Sequence, residues 1–409
     1  MRQALVMTDP SPPARRKSAE LRHLTGLRGL SALFVVAHHA YYGITMDRPL
    51  PSFLGHATYW LYFGRAGLDV FIVLSGYCLM IPFAREPGKQ VQLKAFFARR
   101  AKRIIPTYYA AMALTLAMTV GIPALDGARR HTGLWQNSVG GTSAGSVLSH
   151  ILLLHNTVGR WHDALSYPLW SVATEWQIYV VFALLLLPLR ARLGSAAAAA
   201  GAAVLGLVPL VLTPSAYGVA TQFLILFALG MLSCDLTFRE AERWSSWRRR
   251  VPWGVLSAIL LVLLGIVSLR TGASRFFVPA KDVVVGAAVS CLLVALGVRS
   301  VDPERGRAPA PVVDRVRRVL ESRPLLAVGT FSYSLYLFHA PNLALGQVLT
   351  ERFGLGPTAS LAVVEGVVVP LTTAVCFLFY FAFERPLLTT RASLDRGPVG
   401  KADDVAVLG

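Results

Sequence analysis

The chain has 409 residues, 54% of them hydrophobic and only 15% charged, with a mean hydropathy of +0.53. Soluble domains carry about a quarter charged residues, so composition excludes an ordinary soluble protein and points to a multi-pass membrane protein. The net charge of +18 does not mark a nucleic-acid binder: the basic residues lie in short segments between apolar runs, as topology signals do, and no zinc-binding, RNA-binding or helix-turn-helix pattern accompanies them.

The opening stretch "MRQALVMTDPSPPARRK" is too polar and proline-rich for a cleavable signal peptide, and residues 1–23 read as a disordered cytoplasmic tail. Ten hydrophobic spans follow, at 27–45, 59–83, 103–121, 168–189, 195–212, 218–236, 252–269, 280–298, 325–346 and 360–383, each near the length that crosses a bilayer. The expected fold is an all-α membrane protein of about ten transmembrane helices with both termini cytoplasmic, residues 24–388 forming one transmembrane domain and 389–409 a second tail. With that orientation the outer segments hold only Arg48, Arg129, Arg130, Arg160, Arg270, Arg275, Lys281 and Arg352 of the 40 Lys and Arg residues. Arg28 and Arg65 belong to the spans, and the rest gather on the cytoplasmic side. "SVLSHILLLHN" (146–156) is too short for an eleventh span, so 122–167 read as one outer loop with a short interfacial or re-entrant element. The four cysteines show no paired spacing, so neither a disulfide framework nor a metal site is expected.

The polar residues inside the spans are the functional candidates, because an ionisable group in hydrocarbon is costly. In span one, "GLRGLSALFVVAHHA", His39 stands eleven positions after Arg28, about 20° from its helical face and about 16 Å along the axis. His38 points about 80° away from that face and reads as a histidine satisfied by a helix–helix hydrogen bond, an alternative that stays open for His39 as well. Arg28 and His39 thus line one polar seam. In span two, Arg65 and Asp69 are spaced i, i+4 and can neutralise one another, either as a simple helix-stabilising pair or as part of a site. Before span three, Arg100 and Arg103 share a face at i, i+3; the pair is either a phosphate-binding fork or plain positive-inside charge. Span four carries Ser171, Glu175 and Tyr179 as one polar stripe, with Gln177 off it. Span nine adds Ser332, Tyr336 and His339, either functional or part of an interfacial belt. From these residues alone, a proton-coupled transporter and an enzyme both remain open.

Five segments, "GLRGLSALFVVAHHA", "GLDVFIVLSGY", "RRAKRIIPTYY", "PLWSVATEWQIY" and "SYSLYLFHAP", resemble in order the hallmark segments of the acyltransferase-3 family of integral membrane O-acyltransferases. The resemblance covers roughly residues 24–388. It implies an enzyme that moves an acyl group, usually acetyl, from cytoplasmic acyl-CoA to a hydroxyl, mostly of a surface glycan, a glycolipid or an antibiotic such as a macrolide. The family's arginine and essential histidine match Arg28 and His39, its Arg-x-x-Arg pair matches Arg100 and Arg103, and its glutamate matches Glu175. Three departures are visible. Trp176 stands where many relatives have a second glutamate, His38 where an aromatic is common, and Ile72 and Tyr77 where phenylalanines are common. The resemblance implies His39 as general base, Arg100 and Arg103 with Arg28 as holders of the CoA phosphates, and Glu175 and Asp69 as groups that shape the cavity or relay the proton, with no metal. The alternative, an exporter of a carbohydrate or metabolite, implies flux without acyl-CoA consumption.

Overall fold

The computed structural model describes residues 21–46, 48–86, 88–125, 143–212, 220–239, 246–248, 250–271, 278–301 and 310–388. Residues 1–20 of the expected first tail and the whole of the second lie outside them. Among the described residues all regular structure is helical and no strand occurs. The helices are α1 (Arg22–Thr45), α2 (Arg65–Arg85), α3 (Leu93–Gly121), α4 (Ala144–Ile151), α5 (Leu169–Leu193), α6 (Ser195–Leu212), α7 (Phe223–Phe238), α8 (Trp253–Thr271), α9 (Val278–Val301), α10 (Pro311–Leu320), α11 (Arg323–Thr330), α12 (Ser332–Arg352) and α13 (Pro357–Leu388). The first begins at Arg22, so the last two residues of the expected tail are helical.

Among the described residues, helices occupy the apolar runs of the sequence. Six segments among the described residues are long and apolar enough to cross a membrane: Ser52–Arg85, which includes α2, and α3, α5, α6, Val278–Arg299 and α13. The surface agrees with a lipid environment. Val255, Ile259, Val262, Leu263 and Ile266 of α8, and Leu371, Leu378 and Phe381 of α13, are all exposed, an apolar area that a water-soluble protein would bury. The helices α1 and α12 are instead more polar and face the interior, where α1 packs against α2, α11 and α12.

Close backbone crossings hold the centre together. A Cβ at Gly76 of α2 would lie 2.0 Å from the Phe227 carbonyl oxygen, and one at Gly230 of α7 would lie 2.1 Å from that of Val73. Each glycine therefore admits the backbone of the other helix, the close approach that small residues give membrane helices. Near the C-terminal end of α7, Asp235 is fully buried and accepts two hydrogen bonds from Arg190, at 2.6 and 2.8 Å, and one from Ser195.

The expected short element in the outer loop is α4. At eight residues it rises only about 12 Å and does not cross. The loop is pinned to the bundle: the Tyr108 hydroxyl donates to the His150 carbonyl at 3.2 Å, and the Asn156 amide donates to Thr174 and Gln177, both at 3.0 Å. His155 stacks on His150 with centroids 3.7 Å apart. Burial, and next the His150 ring, push the His155 imidazole down to about 3.

Two outcomes are expected. Gly230→Ala should cost about 1–3 kcal/mol through overpacking, read as a lower Tm of the detergent-solubilised protein, whereas Gly265→Ala on the open face of α8, where a Cβ meets nothing within 4 Å, should cost nothing. An equal Tm for both would remove the crossing argument. For the loop, the folded His155 refuses a proton that the opened segment takes up near 6.5, so protection holds at neutral pH and is lost as pH falls from about 6.5 towards 3. Hydrogen exchange of residues 144–167, corrected for intrinsic rates, should be faster at pH 5 than at pH 7.5, with about 2 kcal/mol of opening energy the most that His155 itself contributes, and His155→Gln should shrink the difference. Equal exchange at the two pH values in the unaltered protein would contradict it.

Candidate active site

Five helices surround a cavity. Arg28 reaches it from α1, Ser75 and Cys78 from α2, Arg100 and Arg103 from α3, Ser171, Glu175 and Tyr179 from α5, and Tyr333 and Tyr336 from α12. The i, i+3 spacing on α3 turns Arg100 and Arg103 to the cavity while Arg99 and Lys102 stay exposed. The stripe expected on α5 is present: Glu175 Oε1 accepts hydrogen bonds from Ser75 Oγ at 2.8 Å and from the Tyr179 hydroxyl, and Ser171 Oγ is 2.7 Å from the Tyr336 hydroxyl. The Arg28 Nε is buried without a hydrogen-bond partner. Three guanidinium groups against one carboxylate give the wall a net positive charge, suited to an anion with several phosphate oxygens.

A second cavity is lined by His38, His39, Gly64, Arg65, Asp163, Tyr167 and Trp170 among others. Leu68 and Tyr336 line both cavities, so these two side chains form the partition between them. Arg28 and His39 are thus on one side of α1 but in different chambers, not in one seam. Helical phase gives direction only, and eleven residues carry the chain about 16 Å along the axis, from one cavity into the next.

The two histidines of span one have different partners. His38 Nδ1–H donates to the Leu61 carbonyl at 2.8 Å, and its ring packs on Tyr42 and Tyr62. His39 Nδ1 lies 2.8 Å from Nε2 of His339, and the edge of its ring meets Tyr167, with centroids 4.7 Å apart. His339 is completely buried, so it is not part of an interfacial belt. The ring of His39 is oriented by this second imidazole rather than by a carboxylate.

The expected i, i+4 pair of Arg65 and Asp69 does not form. Arg65 donates to both oxygens of Asp282 on α9, at 3.2 and 3.0 Å, and Gln222 adds a third hydrogen bond to Asp282 at 2.9 Å. The carboxylate on the facing helix meets the Nε–Nη edge of the guanidinium with both oxygens, a bidentate pairing that Asp69, one turn along the same helix, does not make. Asp69 is buried beside this pair with Oδ1 lacking a hydrogen bond, and it lines neither cavity. Glu175 faces the arginine cavity and Trp176 packs against Phe97.

Sequence reasoning missed Glu384. It is buried near the C-terminal end of α13, accepts hydrogen bonds from the Ser334 backbone and hydroxyl, and lies near Arg28 and Arg103. The acidic residue closing the last apolar run, in "FYFAFER", was its only signal. Asp282 and Tyr167 were likewise unmarked. Among the described residues, no three His, Cys, Asp or Glu side chains gather as a metal site would require.

The model of the acyltransferase domain family Acyl_transf_3 matches residues 21–381. The peptidoglycan O-acetyltransferase OatA of Listeria monocytogenes is 27% identical over 173 residues, 40% of this chain, and the chain spans 24% of the length of OatA. BcsY of Komagataeibacter xylinus, provisionally named a membrane-bound transacylase, is 26% identical over 371 residues, 84% of this chain and 81% of BcsY. No solved structure matches. With a family match over most of its length, on a bundle of long apolar helices, the chain belongs to the acyltransferase-3 family of integral membrane O-acyltransferases.

Proposed function

We propose that this enzyme moves an acyl group, acetyl in the first instance, from cytoplasmic acyl-CoA to a hydroxyl of a sugar-containing acceptor, a cell-envelope glycan or glycolipid in preference to a glycosylated secondary metabolite. The observation that carries this reading is the division of the interior into an arginine-lined and a histidine-lined cavity that meet at Leu68 and Tyr336. In the proposed topology of about ten spans across the plasma membrane, with both ends inside, the arginine cavity opens towards the cytoplasm, where acyl-CoA is found. The histidine cavity lies towards the outer loop, which supplies Asp163 and Tyr167.

Arg28, Arg100 and Arg103 hold the CoA phosphates, and the thioester reaches towards the partition past Ser75 and Glu175. A hydroxyl of the acceptor enters beside His39, which takes its proton as general base while the oxygen attacks the thioester carbonyl. The carbon–sulfur bond breaks, the ester forms, and the proton held by His39 balances the departing CoA thiolate. Glu175 shapes the donor cavity, and Asp69 backs the partition from beside the Arg65–Asp282 pair. The names of OatA and BcsY, an O-acetyltransferase of peptidoglycan and a transacylase, favour a sugar hydroxyl over other acceptors and acyl transfer over export.

The test is CoA release from acetyl-CoA by the protein in nanodiscs, with and without a mixture of muropeptides. His39→Ala should abolish acceptor-dependent release. Arg103→Ala should raise KM for acetyl-CoA about 10- to 100-fold, the worth of one charge-assisted hydrogen bond, with kcat little changed. Full turnover by a well-expressed His39→Ala protein would end the assignment of the base, and an unchanged KM in Arg103→Ala would remove that residue from the donor site.

A further inference from the structure

The base proposed above has a partner 300 positions away in the chain, and the hydrogen bonds of that partner determine where the protons sit. His339 Nδ1 lies 2.7 Å from the Tyr336 carbonyl oxygen and 3.1 Å from that of Leu335. Carbonyl oxygens only accept, so Nδ1 of His339 carries the hydrogen. An uncharged imidazole has one N–H and one lone pair, which leaves Nε2 of His339 as an acceptor. The atom facing it, 2.8 Å away, is Nδ1 of His39, and that nitrogen must therefore be the donor. The remaining nitrogen of His39, Nε2, holds an unshared pair on a ring that lines the outer cavity.

Two observations support this chain of assignments. The ring planes of His39 and His339 differ by only 5° and their centroids are 5.1 Å apart. With nitrogens 2.8 Å apart, that separation is reached when the contact runs along the line between the ring centres, in the plane of both rings. This is the alignment of an in-plane lone pair receiving an N–H, not of two stacked faces. The alternative, a charged His339 donating to His39, would put an unpaired cation in a fully buried site whose hydrogen-bonding partners are carbonyls and a second imidazole, an arrangement that desolvation penalises.

We infer that His339 is a positioning residue that fixes the tautomer and orientation of His39, so that Nε2 of His39 is the atom that removes the acceptor's proton; this rests on the reading of His39 as the base. When Nε2 takes the proton, the Nδ1–H bond to His339 becomes charge-assisted. The Tyr336 and Leu335 carbonyl dipoles at the far end of the pair favour the transient positive charge. The pair does the work that a carboxylate performs for histidine in a hydrolase triad, with an imidazole in place of the acid at Nδ1.

Diethyl pyrocarbonate, which acylates an unshared imidazole nitrogen, tests the tautomer without any acceptor, with sites of modification read by mass spectrometry at pH 7. His39 should be modified and His339 spared. In His339→Phe, which keeps a ring but removes the acceptor nitrogen, modification of His39 should slow several-fold; in His339→Gln, whose amide oxygen takes the place of Nε2, it should recover. Acyl transfer should follow the same order, kcat falling about 10- to 100-fold in His339→Phe, the usual effect of losing an orienting partner, with KM for acetyl-CoA unchanged and most of the loss recovered by His339→Gln. Modification of His39 that is absent in the unaltered protein, or equally fast in His339→Phe, would overturn the inference, and so would a glutamine variant as impaired as phenylalanine. If His39→Ala alone kept full transfer, the reading of the base would fall instead, whatever the labelling showed.

Discussion

Inside an apolar bundle little water is at hand to satisfy a polar side chain, so an ionisable or hydroxyl group there is stabilised by a partner from the protein, in several cases one on another helix. That constraint organises this protein. Ser171 and Tyr336 tie α5 to α12 at the level where the two cavities meet. Glu175 binds Ser75 across to α2, Arg65 binds Asp282 across to α9, and His39 binds His339 across to α12. The polar residues therefore act as struts between helices whose outer faces are greasy, and the cavities are the spaces those struts leave open.

The struts need helices that approach closely. The crossing of α2 and α7 at Gly76 and Gly230 brings the two backbones into contact, and a second crossing at Gly29 and Gly329 sets α1 against α11, where a Cβ on Gly329 would lie 2.1 Å from the Thr25 carbonyl oxygen. The second crossing matters for the site because α11 leads directly into α12. The depth of His39 relative to His339 is thus set by small residues more than a turn away from either histidine.

Much of this was legible in the sequence, and the limit has a physical form. Periodicity within one helix was enough to turn Arg100 and Arg103 inward, to align Ser171, Glu175 and Tyr179, and to separate His38 from His39. It was not enough to identify partners on other helices. The pairing of Arg65 with Asp282, the approach of Glu384 to the arginines and the contact of His39 with His339 join segments far apart in the chain, and a single sequence carries no signal of such pairing. The error on Arg28 and His39 is of the same kind: the wheel placed them on one side correctly, but the partition between them belongs to α2 and α12.

In the proposed reaction this partition has a chemical role. It keeps the guanidinium groups that hold the donor away from the imidazole that must stay unprotonated, and it lets donor and acceptor approach from opposite faces while only the acyl group passes between the chambers. The most direct test uses proteoliposomes of fixed orientation, with acetyl-CoA, which does not cross the bilayer, supplied on one face and muropeptides on the other. The two-chamber account predicts CoA release only when acetyl-CoA is on the face bearing the connection between α2 and α3, with the new ester on the opposite face. Turnover that requires donor and acceptor on the same face would contradict it.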